Sequence, residues 1–216
     1  MSKQQEIQDL FIKHKAVATR RISGDGAEAS TARIEMTKHS VLNELARNHD
    51  LEGLEKFFEL YPNYDLNSLN LARGGYIAPV PLQAALMTEE APLTVIRFLV
   101  EQGANVNIAP EEGSPAPLHL PYLTPEITEY LLEQGANPSQ RGSSGTVRES
   151  WQKRAEMYAH PPGPEFENLV DVGQYGRNHE NAVGVLAVLD RYEEKQTAIR
   201  PASAKAVPAA KGPVVK

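Results

Sequence analysis

The sequence predicts an all-α protein, a short solenoid of stacked helix pairs, and three observations carry that expectation. Leu99 to Asn105 reads LVEQGAN and Leu131 to Asn137 reads LLEQGAN, two copies 32 residues apart that agree at six of seven positions. Within and before each copy, apolar residues recur at helical spacing: Val95, Ile96, Leu99 and Val100 in one, Ile127, Tyr130, Leu131 and Leu132 in the other. Each run then meets a glycine, Gly103 or Gly135, which accepts positive φ without Cβ strain and lets the chain reverse while the last carbonyls stay bonded. Units of this length bury their apolar faces by stacking on one another.

The elements follow in chain order. Ile7, Leu10, Phe11, His14 and Val17 lie on one side of a helix suited to capping the first unit, and a Gly/Ser/Ala-rich linker runs from Ser23 to Ser30, so residues 1–30 form an amphipathic helix and linker. Val41 to Ala46 is apolar at helical spacing; Asp50 then caps a second helix whose apolar face is Leu51, Leu54, Phe57 and Phe58. Tyr61-Pro62 stands where the other units have glycine and alanine, so this unit leaves its second helix by a different turn.

The next unit opens at Pro81-Leu82-Gln83 and its outer helix at Ala91-Pro92; the one after opens at Pro117-Leu118-His119 and its outer helix at Thr124-Pro125, with proline where a missing N–H is harmless. Pro121 falls where the later inner helix should run. An interior proline costs roughly 3 kcal/mol, so that helix is expected to be truncated or distorted. The repeat units therefore occupy residues 31–145. Beyond them, Val147, Trp151, Ala155 and Tyr158 form one helical stripe and Ala182 to Tyr192 another, joined through His160 to Pro164; residues 146–196 read as a divergent helical cap. Trp151 reads as core rather than contact. Residues 197–216 are mostly alanine, proline, valine and lysine and are expected to be a disordered basic tail.

These units resemble ankyrin repeats, a family with a period of about 33 residues and a motif opening Thr-Pro-Leu-His-x-Ala and closing near Gly-Ala. Pro81, Leu82, Ala85 and Gly103-Ala104 match in one copy, and Pro117-Leu118-His119 with Gly135-Ala136 in the other. The copies depart from the family in length, with 22 residues from Pro81 to Gly103 and 18 from Pro117 to Gly135. The resemblance implies about three recognisable repeats between helical caps, and binding to another protein through hairpin tips and the concave inner-helix face. Carried onto this chain, the tips are Arg73 and Tyr76, Glu111 and Glu112, and Gln140 and Arg141; the inner-helix contacts are Gln83, Met87 and Tyr122. It also implies a structural His119, its imidazole bonded to neighbouring backbone.

Composition narrows the function. The chain has no cysteine, which excludes disulfides, thiol nucleophiles and thiolate zinc sites. No run approaches the roughly 20 apolar residues of a membrane helix, Met1 to Asp9 is polar, and Pro138 blocks the Asn137 glycosylation match. A cytoplasmic protein is expected, with the nucleus left open by the basic ends. The formal charge is −6; residues 1–22 carry five Lys/Arg against two acids and residues 198–216 four against none, which leaves the middle at −13. That balance disfavours nucleic acid and favours a protein partner with a basic surface, bound by a chain monomeric by itself.

Catalytic patterns are weak. None of His14, His39, His49, His119, His160 and His179 pairs with another at zinc-hydrolase spacing, and Glu89-Glu90, Glu111-Glu112 and Glu193-Glu194 are sequence neighbours whose side chains diverge. Gly74-Gly75 and Arg141 to Gly145 lack the Lys-Ser/Thr of a phosphate loop and read as inter-repeat turns. The expectation is an interaction module, an adaptor or a regulatory or inhibitory binder, with no enzymatic activity, metal or cofactor. Two alternatives stay open: an assembly chaperone for a partner subunit, and a small enzyme or ligand site where Glu165, Glu167, Asp171 and Tyr175 meet His179.

Overall fold

The computed structural model describes residues 2–68, 71–72, 76–77, 79–89, 91–109, 115–160 and 172–199. Among them the chain is all-α, with eight α-helices and two hairpins of two-residue strands. Arg73, Glu111, Glu112 and the tail from residue 200 lie outside the described residues, as do residues 161–171 with Glu165, Glu167 and Asp171.

Helix α1 (Lys3–Arg21) is capped by Ser2 and lays Ile7 and Ala18 against α2 (Ala27–Arg47) and α3 (Leu51–Leu60). Phe11 stacks on Phe57 at 6.4 Å and tilts against Tyr61. The expected linker is shorter than Ser23 to Ser30, because Ala27 to Ser30 form the first turn of α2. Alanine and glutamate are strong helix formers, and the Arg33 side chain holds the short link through the carbonyls of Ile22 and Gly24. Between α2 and α3, His49 takes positive φ (54°), the conformation glycine supplies elsewhere in the chain. Asp50 caps α3 through the Gly53 N–H at 3.0 Å and also pairs with Lys3. As expected, α3 ends without glycine, at Tyr61.

Hairpin β1 (Leu71–Ala72) and β2 (Tyr76–Ile77) leads into α4 (Pro81–Leu86) and α5 (Leu93–Glu101), whose cap is Pro92 rather than a first-turn proline. The next unit has only a single 3-10 turn, Pro117–His119, before α6 (Pro125–Glu133). Pro125 is the first residue of α6, as the sequence indicates, and Thr124 caps it. Gly103 and Gly135 adopt φ of +95° and +87°, and the following alanine N–H groups return to Leu99 O and Leu131 O.

Hairpin β3 (Arg141–Gly142) and β4 (Gly145–Thr146) introduces α7 (Val147–Ala159), closed by a Thr146/Glu149 capping box. The last helix, α8 (Val172–Ile199), buries Ala182, Val185, Val188 and Leu189 and crosses α6 so closely that a Cβ on Gly184 would meet Pro125 at 2.5 Å. Trp151 is buried, as the helical stripe predicts. One core runs from Val41 to Leu189.

Two polar devices recur between units. The Asp65, Asn105 and Asn137 side chains each accept the N–H two residues on. Asn67 then reaches the next unit, donating to Gly103 O and accepting from Asn105 N, and Asn107 repeats this with Gly135 O and Asn137 N. On the inner side, Asn43 donates to Pro79 O at 2.7 Å, Gln83 to Pro115 O at 3.0 Å, and His119 Nε2 meets Gly145 O at 3.3 Å. Each accepting carbonyl lies two residues before the next inner helical segment. Every unit thus hangs on its neighbour by side chain to backbone bonds as well as by apolar burial.

Candidate protein-binding face

The segment after the 3-10 turn, the end of α7 and the start of α8 converge on one cluster, with the loop after α4 tied to it through Glu89. Met87 follows α4 and is 52% exposed; Tyr122 follows the 3-10 turn and is half-buried. Beside Tyr122, α7 supplies Arg154 and Tyr158 and α8 supplies Tyr175. Tyr158 and Tyr175 meet edge to face at 5.6 Å. Burial raises the Tyr158 phenol above its usual range, with Arg154, Tyr122, Tyr175 and Glu89 near enough to add smaller electrostatic effects. Gln174 of α8 donates to Glu89, joining α8 to the loop after α4. Tyrosine and arginine are the residue types that dominate protein interfaces, since each offers a large rigid surface with a polar tip.

Arg154 is held from several sides. Its guanidinium lies over the Trp151 ring at 4.7 Å and donates to His119 O, while burial lowers its pKa. Nη1 has no hydrogen-bond partner among the described residues. Trp151 Nε1 donates to Leu118 O at 2.8 Å. These two α7 side chains bond the carbonyls that the short 3-10 turn leaves without helical donors.

Several expected contact residues have other work. Gln83 is 4% exposed and bonds Ile108 O and Pro115 O, so it staples two units and has no free surface for a partner. A side chain that long and polar fits an exposed helix face as well as a buried staple, and only the carbonyls around it decide which. Gln140 is half-buried and donates to Asn107 O at 3.1 Å, again a tie between units. Arg141 is exposed on the β3–β4 hairpin, and the backbone of Tyr76 pairs with Ala72 in β2. Arg141, Met87 and Tyr122 remain as accessible expected contacts; Arg154, Tyr158 and Tyr175 were not among those expected. The Val147 to Tyr158 stripe contained Tyr158, but the spacing did not tell which flank α8 covers.

His119 takes the structural place the resemblance implied. It is 4% exposed, burial lowers its pKa, and its ring packs against Gly142, where a Cβ would come within 3.2 Å. Tyr175 and His179, the described members of the alternative enzyme site, both face α7: His179 Nδ1 meets Ala155 O at 3.0 Å. Among the described residues no group of three or more His, Cys, Asp or Glu is placed to hold a metal ion, and no helix is long and apolar enough to cross a membrane. No protein-family model matches the chain, and no curated protein matches its sequence.

Proposed function

We propose that this chain is an ankyrin-type repeat scaffold whose work is to bind another protein through the face formed by Met87, Tyr122, Tyr158, Tyr175 and the hairpin carrying Arg141. The observation that carries it is the recurrence of one inter-unit device, Asn43, Gln83 and His119 each bonded to the backbone just ahead of the next inner segment. Such stapling fixes neighbouring units at set spacing, so the loops and tyrosines between them are presented rigidly and lose little entropy on docking. Residues 51–145 carry four Lys/Arg against twelve Asp/Glu, a balance that steers a partner with a basic surface toward this part of the chain.

The test is capture of the partner by the full chain, compared with Met87→Ala, Tyr122→Ser and Arg141→Ala variants that melt at the wild-type temperature. Stoichiometric capture that falls at least tenfold in these variants supports the scaffold. A partner held equally by all of them places binding elsewhere, and an association rate unchanged between low and high salt removes the steering argument.

A further inference from the structure

A second surface, away from that face, breaks the rule for repeat ends. A terminal cap has solvent on its outer side and should be polar there. Here Ile12 is 68% exposed, Ile34 55% and Leu60 49%, and all three line two adjoining grooves of about 440 Å³ and about 420 Å³ that share Phe11, Ile12 and Tyr61. Gln4, Gln8, Ile12, Lys15 and Thr19 form the wall from α1, one straight ridge at helical spacing. From Gln4 to Thr19 that ridge is about 22 Å long, the length of a helix of about four turns.

Charge selects the occupant. Lys15, Arg33, Lys38 and Lys56 line the grooves and no carboxylate does. Glu35 and Glu59 pair with Lys38 and Lys56 from just outside, while neither Lys15 nor Arg33 forms an ion pair among the described residues. The chain's own tail, with Arg200, Lys205, Lys211 and Lys216 and no acid, has the wrong sign to fill the grooves. A second copy docked groove to groove would set these cations against one another. A lipid surface suits protruding apolar side chains, whereas here they wall a concavity.

We infer that the α1–α2–α3 groove binds an amphipathic helical segment of a partner protein, with apolar residues at helical spacing and acidic flanks. Apolar side chains of that segment fill the space between Ile12, Ile34 and Leu60, and its carboxylates meet Lys15 and Arg33.

Two 16-residue peptides serve as probes on the full chain, both with leucine at helical spacing, one with glutamate and one with lysine at the remaining positions. Fluorescence anisotropy should show saturable binding of the glutamate peptide and at least tenfold weaker binding of the lysine peptide. Ile12→Asp, an exposed position whose variant should melt as wild type does, should weaken the glutamate peptide at least tenfold, and Lys15→Glu about threefold to tenfold with a smaller salt dependence. Met87→Ala should leave it unchanged, which separates this groove from the face proposed above. Equal binding of both peptides, or binding indifferent to Ile12→Asp, overturns the inference. So does a dimer by light scattering that Ile12→Asp dissolves, or co-sedimentation with phosphatidylserine vesicles when neither peptide binds.

Discussion

The units beginning at Pro81 and Pro117 have outer helices of nine residues each that end on the same glycine stop, yet one opens with a six-residue α-helix and the other with a single 3-10 turn. Pro81 precedes the start of α5 by twelve residues and Pro117 precedes that of α6 by eight. The missing four residues amount to about one α-helical turn. Pro121 itself is exposed and lies beyond the turn, so the shortening follows from chain length more than from proline in a helix interior. In the longer unit Gln83 O is bonded by the N–H of Met87 within the same segment. In the shorter one Leu118 O and His119 O are bonded by Trp151 and Arg154 of the next unit. An inner helix can lose a turn when its neighbour supplies the donors that turn would have provided.

The largest effect should come from taking that support away. Trp151→Ala removes a buried ring and orphans Leu118 O, and is expected to cost about 3–5 kcal/mol by urea denaturation; a loss below about 1 kcal/mol would show that the short turn stands by itself. The two glycine stops should behave alike. Nothing lies within 4 Å of a Cβ built on Gly103 or Gly135, so Gly103→Ala and Gly135→Ala should each cost only the backbone strain of positive φ, about 1–2 kcal/mol. Unequal losses would show that the outer helices end differently despite their shared sequence.

A smaller effect comes from two buried histidines: His119, and His39, whose Nε2 meets Pro79 O at 3.1 Å beside Asn43. Burial holds His39 and His119 below their ordinary values, so as pH falls the unfolded chain takes up these protons first. Stability is complete above about pH 6.5 and is lost as pH falls toward the lowered folded values, by at most about 1.4 kcal/mol per pH unit for each histidine. His119→Gln, which gives the shorter unit the longer unit's staple, should flatten the stability profile below about pH 6.5 and leave the share of His39. A profile identical to wild type would mean that His119 takes up its proton without disturbing the fold. The smallest effect is expected from Pro121→Ala, within about 0.5 kcal/mol. A gain of a full helical turn by circular dichroism would show that proline, and not chain length, stops the inner segment.

Much of the scaffold was legible because its cues are local. The Gly103 and Gly135 stops, the Asp50 cap, Pro125 at the start of α6, the truncated segment after Pro117 and the burial of Trp151 each depend on a few neighbouring residues or on one helical stripe. The linker was read too long because small residues suit a loop and a helix equally, and Ala27 to Ser30 joined the helix. The candidate face was less legible. Met87 and Tyr122 were found by their place in a unit, but Gln83 proved to be a staple, and Arg154, Tyr158 and Tyr175 come together only because α8 returns across α7. The Asp65-Leu66-Asn67 and Asn105-Val106-Asn107 triplets were a sequence signal for the outer ladder, visible once the 40-residue offset between the first two units is laid beside the 32-residue offset of the next.

The sequence by itself determined helices, their stops and the fact of repetition, since these follow from apolar spacing, capping chemistry and the conformational freedom of glycine. Only the tertiary structure decided which polar side chains tie unit to unit and which face solvent, and which apolar residues of α1, α2 and α3 are left uncovered. The ties depend on carbonyls brought close from 25 or more residues away, and no local pattern encodes that distance.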